Sequence, residues 1–173
     1  MDKRVYSEIV INAPVKIVWE IITDFEKYNE WNIFTPRITL KNKNFQTGAE
    51  FDLDCQMTDK EYLKNEHECI LEINSDNYSF CMGTSRTKGR PGIRSYRWQT
   101  CEAVSSDKTR YINHERYEGP LAPVVRFLYD KKLSAAFNLF CIALKKRAEE
   151  KSAESKKSYT SLDTADHELS SIK

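Results

Sequence analysis

One change of period constrains this chain more than any other feature. From about residue 37 to residue 118 the apolar side chains fall in short alternating stretches, the mark of half-buried strands. After Gly119-Pro120 they fall three and four apart instead, and they do so for roughly 25 residues, about 37 Å of helix at 1.5 Å per residue. Val125, Tyr129, Leu133, Phe137, Phe140 and Leu144 make a single stripe along it, and Lys145-Lys146-Arg147 close it at the end where the helix dipole favours cations. A helix of that length spans a sheet.

The chain ahead of the strands follows the same logic. Val5 to Ile11 reads as a first strand, and Asn12-Ala13-Pro14 switches it to a helix, with Pro14 suited to a first turn that needs no N–H. Ile17, Val18, Ile21, Ile22 and Phe25 share one helical face, with Lys16, Glu20 and Asp24 opposite. Thr23-Asp24-Phe25-Glu26 has the form of a capping box and predicts that a second short helix starts at once. Tyr28, Trp31, Phe34 and Pro36 then place large apolar groups in an irregular segment that reads as exposed loop.

Six further strands are expected at Arg37–Lys43, Glu50–Met57, Tyr62–Ile73, Tyr78–Gly83, Arg94–Ala103 and Arg110–Glu118, each bounded by a turn signal such as Thr47-Gly48 or Asn74-Ser75-Asp76-Asn77. Alternation gives each residue a face. Phe51, Leu53, Cys55 and Met57, then Tyr78, Phe80 and Met82, then Tyr96, Trp98 and Thr100 fall on the apolar side; Asp52, Asp54, Arg97 and Gln99 fall on the other, expected to face water. In the last strand Tyr111, Asn113, Glu115 and Tyr117 are assigned inward.

With 173 residues, one domain is expected at 1–148, followed by a polar, mobile tail at 149–173 where only Leu162, Leu169 and Ile172 interrupt Lys, Glu, Ser and Thr. Lysine and arginine total 27 against 26 acids, a net charge of +1 that supplies no field for nucleic acid. No apolar run reaches the roughly 20 residues of a membrane span. The start Met1-Asp2-Lys3-Arg4 lacks the apolar core of a leader, and the five cysteines are odd in number and widely spaced, which points to the cytoplasm.

A strongly twisted sheet of about seven strands curls. One helix cannot fill the curl, so the space between is either plugged by aromatic rings or left as a cavity for a small ligand. Two groups of residues carry a family resemblance across about residues 5 to 148. Ile11-Asn12-Ala13-Pro14, Val18-Trp19, Thr23-Asp24-Phe25, Tyr28 and Glu30-Trp31-Asn32 resemble the opening of the SRPBCC, or START-like, superfamily. Tyr96-Arg97-Trp98, Thr109-Arg110-Tyr111, His114 to Gly119, Phe137-Asn138 and Ala143-Leu144-Lys145 resemble the closing half of its polyketide cyclase/dehydrase-like branch. The resemblance implies an α+β helix-grip fold, a curved antiparallel sheet wrapped round a long C-terminal helix. It also implies a cavity under that helix, used by different members for lipid transport, polyketide cyclisation, hormone sensing or cofactor chaperoning.

The residues expected around that cavity are Trp31, Phe34, Phe80, Tyr96, Trp98, Tyr111, Asn113, Glu115, Leu133, Phe137 and Phe140, with ordinary core packing as the alternative for the aromatic ones. Arg94 is a further polar group able to orient a ligand. His114 and Glu115, being adjacent on a strand, point to opposite faces and cannot form an acid/base pair in one pocket. Glu115 is one candidate for proton transfer and His67, placed inward with Cys69 and Leu71, is the other. The three histidines have no metal-ligand spacing, and neither metal nor cofactor is expected. Arg86-Thr87-Lys88-Gly89-Arg90-Pro91-Gly92-Ile93-Arg94 lacks the order of a P-loop and reads as a solvated hairpin connection, with an anionic head group as its functional alternative. Three functions follow in order: a carrier of a lipid-like, isoprenoid or polyketide-like molecule; a cyclase, dehydratase or hydrolase acting in the same cavity; and a module that contacts a protein or membrane surface through the Tyr28–Pro36 segment or the tail.

Overall fold

The computed structural model describes residues 5–41 and 44–170, with side chains through residue 157. The readings made at 1–4, at Asn42-Lys43, and for the side chains of Leu162, His167, Leu169 and Ile172 lie outside the described residues. The elements run β1 (Val5–Ile11), α1 (Val15–Thr23), a 3₁₀ helix (Phe25–Glu30), β2 (Arg37–Leu40), β3 (Glu50–Thr58), β4 (Glu61–Asn74), β5 (Ser79–Thr84), β6 (Arg94–Ser105), β7 (Lys108–Glu118) and α2 (Ala122–Ser170).

All seven strands form one antiparallel sheet in the order β1-β7-β6-β5-β4-β3-β2. β2 to β7 is a simple meander, and β1 closes the other edge by pairing with β7, Val5 opposite Glu115 and Ile11 opposite Thr109. Bulges interrupt the pairing at Leu53/Cys55 in β3, Ile70/Glu72 in β4 and Ala103/Ser105 in β6. Each bends its strand and increases local twist, which curls the sheet around α2. Gly119, at φ +103°, makes the turn from β7 into α2, and a side chain there would meet the carbonyl oxygen of Gly92 at 2.6 Å. The result is the α+β helix-grip arrangement expected from the sequence.

Between sheet and helix the core is aromatic. Phe25 sits at its centre, with the rings of Tyr28, Phe45, Phe51 and Phe80 between 5.0 and 6.1 Å away. Val18, Ile21 and Ile22 of α1 are buried above it, and α2 adds Leu133, Ala136, Phe137, Phe140, Cys141, Leu144 and Ala148. Among the described residues no helix is long and apolar enough to cross a membrane.

Four expectations are corrected. The second short helix forms, but without the capping box: the Thr23 hydroxyl donates back to the Trp19 carbonyl at 2.8 Å and the Asp24 carboxylate is held by Lys27 at 2.7 Å. The large apolar groups of the Tyr28–Pro36 segment are not exposed as a set, since Tyr28 and Phe34 are buried together with Asn32 and Thr35, and of its apolar side chains only Ile33 is exposed. The helix does not end near residue 148. Ala148 and Ser152 are buried and Lys151 pairs with Glu20 of α1 at 2.8 Å, so the next turn still has something to pack on, and the Ala, Glu and Lys beyond it are strong helix formers.

The fourth correction has the largest consequence. Tyr96 and Trp98 lie on the outer face of the sheet, opposite Arg116 and His114, while Arg97 and Gln99 lie inside, opposite Glu115 and Asn113. The cause is the bulge between Ala103 and Ser105, whose extra residue shifts every pair upstream of it by one and flips each side chain to the other face. Outside, the rings cover one another: Trp98 stacks on His114 at 5.0 Å and on Tyr96 at 5.9 Å, and the Arg116 guanidinium lies 5.4 Å from both Tyr96 and Trp98.

Candidate functional site

The aromatic core fills one end of the curled sheet. The other end holds a cavity of about 220 Å³. Leu53, Cys55 and Met57 of β3, Leu63 of β4 and Met82 of β5 form its floor; Val125, Tyr129 and Leu133 of α2 form its roof; Phe34 closes its inner end. Lys88, Gly89, Arg90 and Ile93 of the β5–β6 connection rim its mouth, where Lys88 and Arg90 are exposed.

Into this apolar space the sheet points a compact polar group. Arg97 of β6 and Glu115 of β7 are direct cross-strand partners, Tyr117 follows two residues on from Glu115 on the same face, and Glu68 enters from β4, opposite Phe51. Arg97 is only 7% exposed and Glu115 only 8%. The Arg97 Nε donates to Asn113 Oδ1 at 2.9 Å, and its guanidinium lies 4.4 Å from the ring centre of Phe137, 5.0 Å from Phe140 and 5.3 Å from Phe34. Aromatic faces attract a cation, so these three rings hold the charge where water does not reach. Beneath it, the Tyr111 hydroxyl donates to Gln99 Oε1 at 2.6 Å, a second buried polar pair that fixes the adjacent β6–β7 rung.

The group is incompletely satisfied. Arg97 Nη2, Glu68 Oε2 and Asn113 Nδ2 are buried without a hydrogen-bond partner. Buried polar atoms are almost always paired, so an unpaired set on a cavity wall marks a place for a ligand's own polar atoms. Burial raises the pKa of the Glu68 carboxyl to about 8, helped by the charge of Glu115 and opposed by Arg97. The Glu115 carboxyl is also raised by burial, against the pull of Arg97 and its hydrogen bond with Tyr117, and the Tyr117 phenol is pushed well above its usual range. At neutral pH the Glu68 carboxyl is therefore mostly protonated and can donate, while Arg97 remains a fixed cation.

That ionisation carries a stability consequence. A carboxyl whose folded pKa exceeds its unfolded value binds its proton more tightly in the native state, so the fold loses stability as pH rises from near 4.5 to near 8. Glu68→Gln is expected to leave stability unchanged at pH 4 and to raise it by about 2 kcal/mol at pH 8.5, in urea titrations at both values. A gain of equal size at both pH values would mean that ionisation is not its source.

Of the residues expected around the cavity, Phe34, Glu115 and Leu133 line it. Phe137 and Phe140 stand behind Arg97, and Asn113 orients it. Trp31, Phe80 and Tyr111 belong to the packed aromatic core: Trp31 contacts Tyr28 and Phe140, and Phe80 contacts Phe25, Phe45 and Trp19. Tyr96 and Trp98 are on the other side of the sheet. Arg94 is exposed and donates to the Ser85 carbonyl at 3.2 Å. His67 points outward as well, its Nδ1 2.5 Å from Asp52 Oδ1, because Glu66, Glu68 and Ile70 take the inner positions of β4. His67 is among the residues that border the cavity, but its ring is held by Asp52 rather than by Glu115. Glu68 and Arg97 were missed from sequence; Glu115 was the available signal, since a buried carboxylate requires a partner across the strand.

The five cysteines are unpaired, and burial raises the thiol pKa of each, that of Cys81 to about 12, so none is activated as a nucleophile. Among the described residues no three His, Cys, Asp or Glu side chains come together as a metal site requires.

Residues 2–149 match the sequence profile of a family described as polyketide cyclase/dehydrase and lipid transport. No curated protein sequence matches the chain. Among solved structures it is similar to the Zhui aromatase/cyclase from Streptomyces sp. R1128, at 12% identity and a TM-score of 0.67 over 85% of this chain and 93% of that one. It is similar to a START superfamily protein from Mycobacterium smegmatis, at 15% identity and a TM-score of 0.65 over 85% and 97%. A point mutant of norcoclaurine synthase from Thalictrum flavum, in complex with a transition-state analogue, gives 13% identity and a TM-score of 0.66 over 86% and 94%. At these identities the structural likeness is one of fold. The profile match over nearly the whole sheet-and-helix unit goes further, and on it this chain belongs to the polyketide cyclase/dehydrase and lipid transport family.

Proposed function

We propose that the chain, through a unit spanning residues 1–148, binds a small amphipathic molecule in the cavity between sheet and α2. The observation that carries this reading is the buried Arg97 guanidinium with Nη2 unpaired at an apolar cavity wall. A ligand carbonyl or phenolic oxygen would accept from Nη2, a second polar atom would meet Glu68, and the hydrocarbon remainder would lie against Leu53, Met57, Met82 and Leu133. At about 220 Å³ the cavity is below the roughly 300–1,000 Å³ of typical drug-sized pockets, which favours a compact ligand or one that extends through the mouth. A lipid-like, isoprenoid or polyketide-like molecule fits that description, and unpaired buried cysteines fit a cytoplasmic setting.

Native mass spectrometry of the purified protein is expected to show a small-molecule adduct that is released and identified after denaturing extraction. A bare protein mass, together with no saturable binding of a polarity-sensitive lipid probe, would overturn the carrier reading.

A second reading rests on the raised pKa values of Glu68 and Glu115. Two carboxyls of unequal proton affinity in a water-poor cavity, beside a fixed cation, are the components of acid/base catalysis on a carbonyl substrate. In that case Glu115→Gln abolishes turnover of the extracted ligand or its precursor while binding persists. Unchanged turnover would remove the catalytic role.

A further inference from the structure

The outward face of α2 is apolar where a solvent-facing helix is ordinarily polar. Phe127 is 90% exposed, and Leu121, Val124, Leu128, Leu139 and Ile142 are each about half exposed or more. At 100° per residue these positions fall within one sector of the helix, opposite the buried stripe of Leu133, Phe137 and Leu144. The stripe is roughly 30 Å long at 1.5 Å per residue. It is not a membrane span, because the other side of the same turns is committed to the core.

Charge accompanies it. From Leu121 to Ala148 the cations are Arg126, Lys131, Lys132, Lys145, Lys146 and Arg147, and Asp130 is the only acid, in a chain whose net charge is +1. Arg126 is turned toward the Tyr117 carbonyl, Lys132 is paired with Glu61, Lys145 with Glu149 at 3.5 Å and Arg147 with Glu30, but Lys146 is exposed and Lys131 projects from the apolar sector itself, on its exposed side. The basic β5–β6 connection abuts the start of this face: the Leu121 N–H donates to the Gly92 carbonyl at 3.0 Å, and Arg86, Lys88 and Arg90 of that connection are exposed, with Arg90 paired to Glu66. The same connection rims the cavity mouth.

We propose that the outward face of α2 from Leu121 to Lys146, with the adjoining 86–94 connection, is a docking surface for an anionic lipid bilayer. Apolar residues flanked by cations, with Asp130 the only intervening acid, match the acyl–headgroup boundary, where Phe and Leu enter the acyl region and Lys and Arg meet lipid phosphates. A second copy of this chain is the poorer occupant, because an antiparallel two-fold contact centred on the stripe would set Lys131, at its middle, against its own equivalent. Docked this way, α2 would lie along the bilayer and bring the cavity mouth next to it. The surface does not depend on what the cavity holds.

The test is flotation of the full chain with phosphatidylcholine vesicles, with and without phosphatidylserine. Binding is expected only with phosphatidylserine, weakened about fivefold for each of Lys131→Gln and Lys146→Gln and by added salt. Phe127→Ser should abolish it, and the exposure of Phe127 means that this variant should retain the wild-type circular dichroism spectrum and melting temperature. Arg97→Met, which targets the cavity, should still float wherever it is folded, so failure of the ligand reading and failure of this one are separable. Three results would overturn the proposal: no flotation with either vesicle, flotation indifferent to phosphatidylserine and to Phe127→Ser, or light scattering that shows a dimer which Phe127→Ser converts to monomer.

Discussion

Arg97→Met is expected to destabilise the fold by about 3–5 kcal/mol at pH 7, the usual cost of removing one partner from a buried ionic group. Methionine fills similar volume, so the loss is electrostatic. Arg97 is the cation that opposes the rise in pKa of both Glu68 and Glu115, and without it each carboxyl must either ionise uncompensated or hold its proton to higher pH. Asn113 Oδ1 also loses its donor. The sign of the pH dependence follows: the variant's native state binds more protons than its unfolded state over a wider range, so its stability falls more steeply between about pH 5 and 9 than that of the parent. Near pH 4, where both carboxyls are protonated in either state, most of the deficit should disappear. Glu115→Gln in the same chain should restore part of the loss at pH 7, a coupling that urea titrations of the two single variants and the double variant would measure. A deficit that is independent of pH and additive with Glu115→Gln would mean that Arg97 serves as packing alone. The same substitution removes the unpaired Nη2, so adduct retention in native mass spectra should be lost even at pH 5, where the variant is expected to fold.

The second large effect concerns Phe137. This side chain is fully buried, meets the Phe34 ring at 5.6 Å and lies 4.4 Å under the Arg97 guanidinium. Phe137→Ala is expected to cost about 3–5 kcal/mol, combining lost transfer energy with an unfilled hole in a helix held between rigid neighbours. The urea midpoint should drop while the slope stays constant, since the surface exposed on unfolding hardly changes. Because Phe137 stands between the packed core and the cavity, the hole should extend the cavity toward Phe140 and allow a bulkier ligand to bind. A loss below about 1 kcal/mol would indicate that α2 collapses onto the sheet and closes the gap.

Much of this organisation could be read without coordinates. The change of period at Gly119-Pro120 announced the long helix, turn residues separated strands whose observed bounds differ by only a few residues, and α1 was marked by Ile17 to Ile22. The inward assignment of Tyr111, Asn113 and Glu115 in β7 matches their burial, and Glu115 and Tyr117 of that face border the cavity. The Arg86–Arg94 stretch was legible as a basic connection, though not its position against Leu121.

What escaped was everything that depends on register. Alternation fixes which residues of one strand share a face, but not which face looks inward, and in β6 hydrophobicity pointed the wrong way. One extra residue near Val104 inverted the strand, moving Tyr96 and Trp98 outside and Arg97 inside. In β4 the pairing with β3 sent His67 out to Asp52 and Glu68 in behind Phe51. The aromatic residues show the same limit: sequence placed Phe80, Phe137 and Phe140 under the helix, but only their packing distances separate a filled core from a lined cavity. The sequence by itself therefore determined the order of elements and their periods, because these are local properties of hydrophobic spacing and turn chemistry, and its residue groups carried the family resemblance. The tertiary structure alone decided the polar group at the cavity, because bringing Arg97, Glu68 and Glu115 together requires three strands in one register, and a bulge of a single residue controls it.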